Sequence, residues 1–599
     1  MFEKYLSGDI IRVSLKDAEH YRPFPKASER EIWEQIDCKD AVLAAGEEAK
    51  TGYPMLKATD FMAFRRTGNR KIYEGPYFER RSKLVQAIIA ECAAGDGSFL
   101  DAVIDGIWCV LEESSWIISA HNNIRNRVHP LLPDPEDPFI CLFSAQTAQI
   151  LAYAVYLLGD KLDAVDPVIT RRVRDEMEKR IFKPFLERDD MSWMGFDGGR
   201  LSNWTPWILS NVLESFLFLC EDREKRVTAV LRAMQMLDFY IAGQPEDGGC
   251  DEGCGYWNMA SGSLLDCLDI LYRATDGAVD CYSDPMVHAI GTFPMNAHIS
   301  GSWYWNFADC DARPGMEGER IARFGEVTGD RALMSFGEKI MRAKGSRGVT
   351  GGTQMNRLMN TLFHRYESCD GAEEPEMVYL PVTQVYARRA GGLYGVIKGG
   401  HNAENHNHND LGSFMIYVNG SPAVVDLGNQ VYTARTFSSE RYTLTNTRSR
   451  NHNVPLVGGV EQRAGREYAA GMTDADENGV VVNIGGAYPE EAGVSSIRRF
   501  FSVSEGCVKI EDTVELKKEE DVSWVFMVLG EPVRGEGDTL KLSGLRLMYP
   551  AGGKCAIEPV PDDDNRMLKR FPERIYRVEI TYPMQKCGTK TFLFEKTDF

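Results

Sequence analysis

The chain lacks any apolar run approaching the roughly 18 residues that a membrane-spanning helix needs, and so presents no such span by sequence. Its first residues, Met1-Phe2-Glu3-Lys4-Tyr5-Leu6-Ser7-Gly8-Asp9, lack the apolar stretch of a secretory leader. The expectation is a cytoplasmic protein, or a periplasmic or secreted one whose leader has been removed. Excess positive charge is missing too. Against 68 Lys and Arg stand 88 Asp and Glu, a net charge of -20, which argues against nucleic acid or an anionic membrane as partner. The 14 cysteines contain no Cys-x-x-Cys pair. They read as reduced, buried small hydrophobes, Cys250 and Cys254 included, rather than as a disulfide frame or a thiolate metal site. No strict repeat is visible, so any repetition is structural only.

What is present is the composition of a globular protein, 43% hydrophobic and 26% charged. At 599 residues the chain exceeds one ordinary core, and two or three domains are expected. Histidine is scarce, yet three of the ten histidines fall in His401-Asn402-Ala403-Glu404-Asn405-His406-Asn407-His408. An apolar run, Met415-Ile416-Tyr417-Val418, then a turn at Asn419-Gly420 and a second apolar run ending in Asp426-Leu427-Gly428 follow, the pattern of loop, strand, turn and strand. On an extended backbone His406 and His408 would share one face. Asp426, at the end of the returning strand, can come back beside them, and Asn451-His452-Asn453 lies further on. Two imidazoles and a carboxylate gathered in this way suit a divalent metal.

These segments resemble the heparinase II/III family of polysaccharide lyases, in which an HxHxDxGSF segment, a later Asp-x-Gly and a still later Asn-His recur in a C-terminal β-domain. Here the matching residues are His406 to Phe414, Asp426 to Gly428, and Asn451-His452. The resemblance implies metal ligands at His408, Asp426 and His452, and a catalytic role for His406. One structural divalent ion is expected, zinc first and manganese as the alternative.

The apolar spacing is helical from about residue 83 to about 344. Segments such as Phe99-Val103-Ile107-Val110-Leu111 and Thr147-Ile150-Leu151-Ala154-Leu157-Leu158 are joined by short connections, which suggests paired antiparallel helices in an α/α toroid or solenoid. After about Pro375 the texture changes to short β-branched and aromatic runs separated by Gly, Asn and Asp. Gly479-Val480-Val481-Val482-Asn483 and Trp524-Val525-Phe526-Met527-Val528 are examples, and they read as an antiparallel β-sandwich. The expected fold class is thus α+β and multidomain. An N-terminal α/α toroid of helical hairpins occupies 1–370, with a linker at about 345–375, and a C-terminal antiparallel β-sandwich occupies 371–599. The resemblance implies this same order.

Two segments of the helical part stand out. In Leu201-Ser202-Asn203-Trp204-Thr205-Pro206-Trp207, Asn203 is placed to cap a helix carrying Pro206 in its first turn. In Glu246 to Asn258, a glycine-rich loop that permits close backbone approach leads to Gly255-Tyr256-Trp257. The resemblance assigns Asn203 to a substrate carboxylate and Tyr256 to proton transfer. It also marks Ser115-Trp116 and Ala120-His121-Asn122 as a first active-site element, with Arg125 one turn on. His121, Asn122 and Arg125 are read as substrate-binding, with Trp204, Trp257, Trp303 and Arg441. Other cationic candidates are Arg127 with His129, Arg388 with Arg389, and Arg435, Arg448 and Arg450.

The chemistry so implied is β-elimination of a uronate-containing glycosaminoglycan (heparan sulfate, chondroitin or hyaluronan type), leaving a 4,5-unsaturated uronate. Asn203 would accept charge developing on the carboxylate, while Tyr256 and His406 divide the acid and base roles. Nearby cations are expected to ease Tyr256 toward the phenolate. Three alternatives stay open: an alginate or oligoalginate lyase, an α/α-toroid hydrolase using acids such as Asp247, Asp251 and Glu252, and a noncatalytic glycan-binding protein.

Overall fold

The computed structural model describes residues 1–122, 130–250, 252–344, 353–366, 369, 374–561, 566 and 570–597. The chain forms two compact units. One comprises Met1–Gln244, Asn258–His288 and Glu317–Gly371. The other comprises Pro245–Trp257, Ala289–Met316 and Ala372–Phe599. Two stretches from the helical part of the sequence therefore belong to the sheet unit, and one of them carries Tyr256.

The first unit is built of antiparallel helices. Its main elements are α1 (Lys39–Ala49), α2 (Lys71–Ala94), α3 (Leu100–Leu111), α4 (Leu142–Val165), α5 (Trp204–Leu219), α6 (Arg223–Ala242), α7 (Ser261–Ala274), α8 (Gly318–Thr328) and α9 (Arg331–Lys344). α4 is long and apolar enough to cross a membrane, but 89% of its apolar window is buried inside the protein, as in a core helix. It packs on α2 and α5, and α5 in turn on α6 and α7. Gly318, Gly325 and Gly337 lie where a Cβ would strike the backbone or side chains of the facing helix, which is why α8 and α9 pack so closely. A buried carboxyl, Glu214 on α5, accepts hydrogen bonds from Gln149 Nε2 (2.9 Å) and Tyr153 OH (2.8 Å) of α4.

The second unit is an antiparallel sheet system with a large apolar core that includes Phe414, Phe501, Trp524, Phe526, Phe592 and Phe594, and a smaller cluster around Val425, Leu427, Met527 and Phe571. The hairpin that bears the site is β1 (Val385–Ala390), β2 (Leu393–Lys398), β3 (Phe414–Val418) and β4 (Ser421–Val424), paired in that order. Asn419 and Gly420 join β3 to β4 with φ of 48° and 81°. Positive φ at both positions is a type I′ turn, the one that suits strand twist and that Asn-Gly favours. The sheet's spine is β5 (Cys507–Leu529), paired along its length with β6 (Ile575–Lys596). Sequence runs at Val508–Ile510 and Trp524–Val528 read as separate strands, whereas the structure joins them. The polar residues 517–521 between them are mostly exposed, and the ladder passes through them with register shifts. An exposed stretch of strand carries no apolar alternation to signal it.

The helix-then-antiparallel-sheet order expected from periodicity is the order observed.

Candidate active site

The histidine loop is anchored at both ends. Lys398 Nζ, at the end of β2, donates to Asp410 Oδ1 at 2.9 Å, and Leu411 N donates to Gln462 Oε1 at 2.9 Å. The backbone between is not extended as the spacing predicts, because His406 has φ of 56°. A positive φ is costly for a non-glycine residue and persists only where its surroundings hold it. The two histidines are consequently unequal: the side chain of His406 is 20% exposed and that of His408 fully buried.

His408, Asp426 and His452 come together, each buried, with one potential ligand atom apiece within 4.8 Å of the others. Asp426 Oδ2 accepts from His452 Nδ1 at 2.9 Å and its Oδ1 accepts from Gly428 N at 2.9 Å. Burial lowers the pKa of His408. Burial opposes protonation of His452 as well, but the charge and hydrogen bond of Asp426 outweigh it and raise its pKa. His408 Nδ1 is buried without a hydrogen-bond partner, a feature rare in folded proteins. With that ring nitrogen facing a second imidazole and a carboxylate, this trio could hold a divalent cation, although both ring nitrogens of His452 are hydrogen-bonded here, Nδ1 to Asp426 and Nε2 to the Asn446 carbonyl at 2.9 Å.

Beside this cluster lies a second one, also within the sheet unit. Tyr256 stacks on the His406 ring, centroids 4.4 Å apart and planes 21° apart. Its hydroxyl is 2.5 Å from Tyr432 OH, which in turn lies 3.2 Å from His406 Nδ1 and 3.3 Å from Asp309 Oδ2. Asp309 Oδ2 also accepts from His406 Nδ1 (2.9 Å) and Arg441 Nη2 (2.8 Å), while its Oδ1 accepts from His408 Nε2 (3.0 Å). Buried Glu252 approaches His406 Nε2 at 3.6 Å. Burial alone would raise the pKa of Asp309, but the hydrogen bonds from His406 and His408 and the charge of Arg441 hold it well below the usual carboxylate range.

Tyr256 departs from expectation. Burial is the main cause that raises its pKa; Asp309 and Glu252 add to the rise, and the hydrogen bond with Tyr432 only partly opposes it. The phenol is held neutral, so cations do not prepare it as a phenolate. Of the arginine clusters seen in sequence, Arg441 alone among the described residues reaches Asp309. Arg389 is held by the carbonyls of His298 and Ile299 and by Glu374, Arg448 by Glu461, and Arg435 by Thr443. Arg125, Arg127, His129 and Asp251 lie outside the described residues.

In the helical unit, His121 and Trp204 meet with ring centroids 4.6 Å apart, and His121 stacks on Phe143 at 5.3 Å. Burial, with the charge of Arg70, pushes the His121 pKa down to about 3, so the ring is neutral. Asn122 Nδ2 donates to the Pro130 carbonyl at 3.0 Å. Asn203 precedes α5 but makes no side-chain capping hydrogen bond. Trp257 and Trp303, read from the sequence as substrate-binding, are engaged in packing. Trp257 is fully buried with its indole N–H on the Ile290 carbonyl. Trp303 stacks on Phe571 with centroids 5.8 Å apart, and Arg313 lies 4.8 Å from the ring.

Sequence reasoning missed Asp309 and Tyr432. Asp309 stands in the aromatic-rich run Trp303-Tyr304-Trp305-Asn306-Phe307-Ala308-Asp309, where the rings drew attention and the acid did not.

A helical region is thus followed by an antiparallel sheet domain that carries a buried His–Asp–His cluster. Residues 374–549 match the family model described as Heparinase II/III-like, C-terminal. Among solved structures, heparinase III is similar with a TM-score of 0.63 at 11% identity, over 88% of this chain and 78% of that one. A mutant of the heparan sulfate lyase HepC from Pedobacter heparinus gives a TM-score of 0.59 at 13% identity, over 94% and 89% of the two chains. A Paenibacillus xanthan lyase gives 0.54 at 10% identity, over 100% of this chain and 60% of that one. At these identities the likeness is one of fold. No curated protein sequence matches the chain.

Proposed function

We propose that the protein is a polysaccharide lyase that cleaves uronate-containing glycosaminoglycan chains or oligosaccharides by β-elimination. The observation that carries this reading is the pairing of a neutral phenol, Tyr256, with the stacked imidazole of His406, whose Nδ1 is tied to an ionised Asp309. His406 takes the C5 proton of the uronate through Nε2. The electron pair forms the C4–C5 double bond, the C4–O4 bond breaks, and Tyr256 gives its proton to O4. A phenol held neutral suits the acid role. Asn203 hydrogen-bonds the uronate carboxylate as charge develops on it, an interaction typically worth about 3 kcal/mol per oriented donor. Trp204 and His121 offer ring surface to a sugar.

His408, Asp426 and His452 would hold one divalent cation, zinc first and manganese as the alternative. The unpartnered His408 Nδ1 supports this fit. When bound, the ion would supply a fixed positive charge that ties the 406–413 loop to the sheet.

One observation bears on the rival readings. Both carboxylate oxygens of Asp247 are taken by Thr383 and by the backbone at Val382 and Thr383, which leaves a hydrolase without one of its candidate acids. Alginate is the second substrate class. The test is a panel of heparan sulfate, heparin, chondroitin, hyaluronan, alginate and their oligomers, read by the ultraviolet absorbance of the unsaturated uronate. New reducing ends without that absorbance would establish hydrolysis instead. Binding with no product from any substrate would establish a noncatalytic protein.

A further inference from the structure

We propose that Asp309 is the positioning residue of the site, a single carboxylate that sets the tautomers of both His406 and His408 and so couples the imidazole proposed as base to the cation cluster. An ionised carboxylate only accepts hydrogen bonds. A ring nitrogen 2.9 or 3.0 Å from it must therefore carry the proton. On His406 that nitrogen is Nδ1, which leaves Nε2 with the lone pair. On His408 it is Nε2, which leaves the lone pair on Nδ1, the same buried atom that has no partner. One acid thus points two lone pairs in two directions, one toward Glu252 Oε2, 3.6 Å away, and one into the His408–Asp426–His452 cluster.

The acid is itself held from both sides. Arg441 pairs with Oδ2, and its Nε donates to the Asn407 carbonyl, between the two histidines. The segment bearing Asp309 is registered to the cluster independently of that carboxylate. Asn306 Nδ2 donates to the Asp426 carbonyl at 2.9 Å, and Asn429 N donates to the Cys310 carbonyl at 3.1 Å. His406 has an unfavourable backbone φ, and its ring is held by the Tyr256 stack, the Tyr432 hydroxyl and, at the shortest distance, Asp309.

The inference about His406 rests on the lyase reading; the inference about His408 does not. The experiment therefore has two arms, using the whole protein. In the first, Asp309→Asn keeps size but removes one acceptor oxygen and permits the wrong tautomer. On the substrate identified from the panel, kcat should fall by about a hundredfold to ten-thousandfold with KM changed less than about threefold, and Asp309→Glu should recover part of the loss. In a His406→Ala background, Asp309→Asn should cost no further activity, because it acts through that ring. In the second arm, zinc affinity measured by chelator competition should fall about 10- to 100-fold in Asp309→Asn. A kcat within about threefold of wild type, or an equal further loss in the His406→Ala background, overturns the positioning role. Unchanged zinc affinity overturns the coupling. If the wild type itself yields no unsaturated product, the lyase reading fails, and the zinc arm still decides the His408 half.

Discussion

Replacing Tyr256 with Phe removes one oxygen and little else. The phenyl ring retains its burial and its stack on His406 at 4.4 Å. The lost contact is the hydroxyl pair with Tyr432 at 2.5 Å, and Tyr432 keeps Asp309 and His406 as partners at 3.3 and 3.2 Å. A hydrogen bond of this kind contributes about 1 kcal/mol net, so Tm should fall by no more than about 4 °C in a chain this large. Loss of a general acid, in contrast, costs at least about a hundredfold in rate, or about 2.7 kcal/mol of transition-state stabilisation. Activity and stability should therefore separate. The assay is the initial rate of ultraviolet absorbance on the best substrate, alongside thermal unfolding of the same preparation. A folded variant with a rate within about threefold of wild type would refute the assignment. A rate loss matched by a large fall in Tm would show that the hydroxyl serves structure rather than chemistry.

Asn203→Ala should lower kcat more than it raises KM; a drop in Tm with intact kinetics at low temperature would reassign the side chain, which is buried ahead of α5, to structure. Elemental analysis should find about one zinc or manganese per chain, lost together with several degrees of Tm in His408→Ala, Asp426→Ala and His452→Ala, but retained in His406→Ala; a metal-free active wild type would refute the ligand set. Burial raises the pKa of Glu214 to about 8, above its unfolded value. The folded state therefore binds the extra proton between about pH 4.5 and pH 8, and stability is lost as pH rises through that window. The Tm of wild type should accordingly fall relative to Glu214→Gln from pH 5 to pH 8 and level off above it, and a constant difference across the range would refute the shift.

The division into helical and sheet textures, the Asn-Gly hairpin and the ordered spacing of His406, His408, Asp426 and His452 are all legible in the chain, because period, turn chemistry and motif order are local properties. Local reasoning also erred for local reasons. It assumed an extended backbone at His406, where φ is 56°, and it broke β5 at its exposed polar middle. What only the tertiary structure decided is which of 88 acids matters and what state the phenol is in. Asp309 lies 97 residues from His406 and 99 from His408, and Tyr432 lies 176 from Tyr256. No sequence period links such positions. The assembly of the sheet unit buries Asp309 among donors and Tyr256 away from water, and burial beside fixed partners is what sets a side chain's proton.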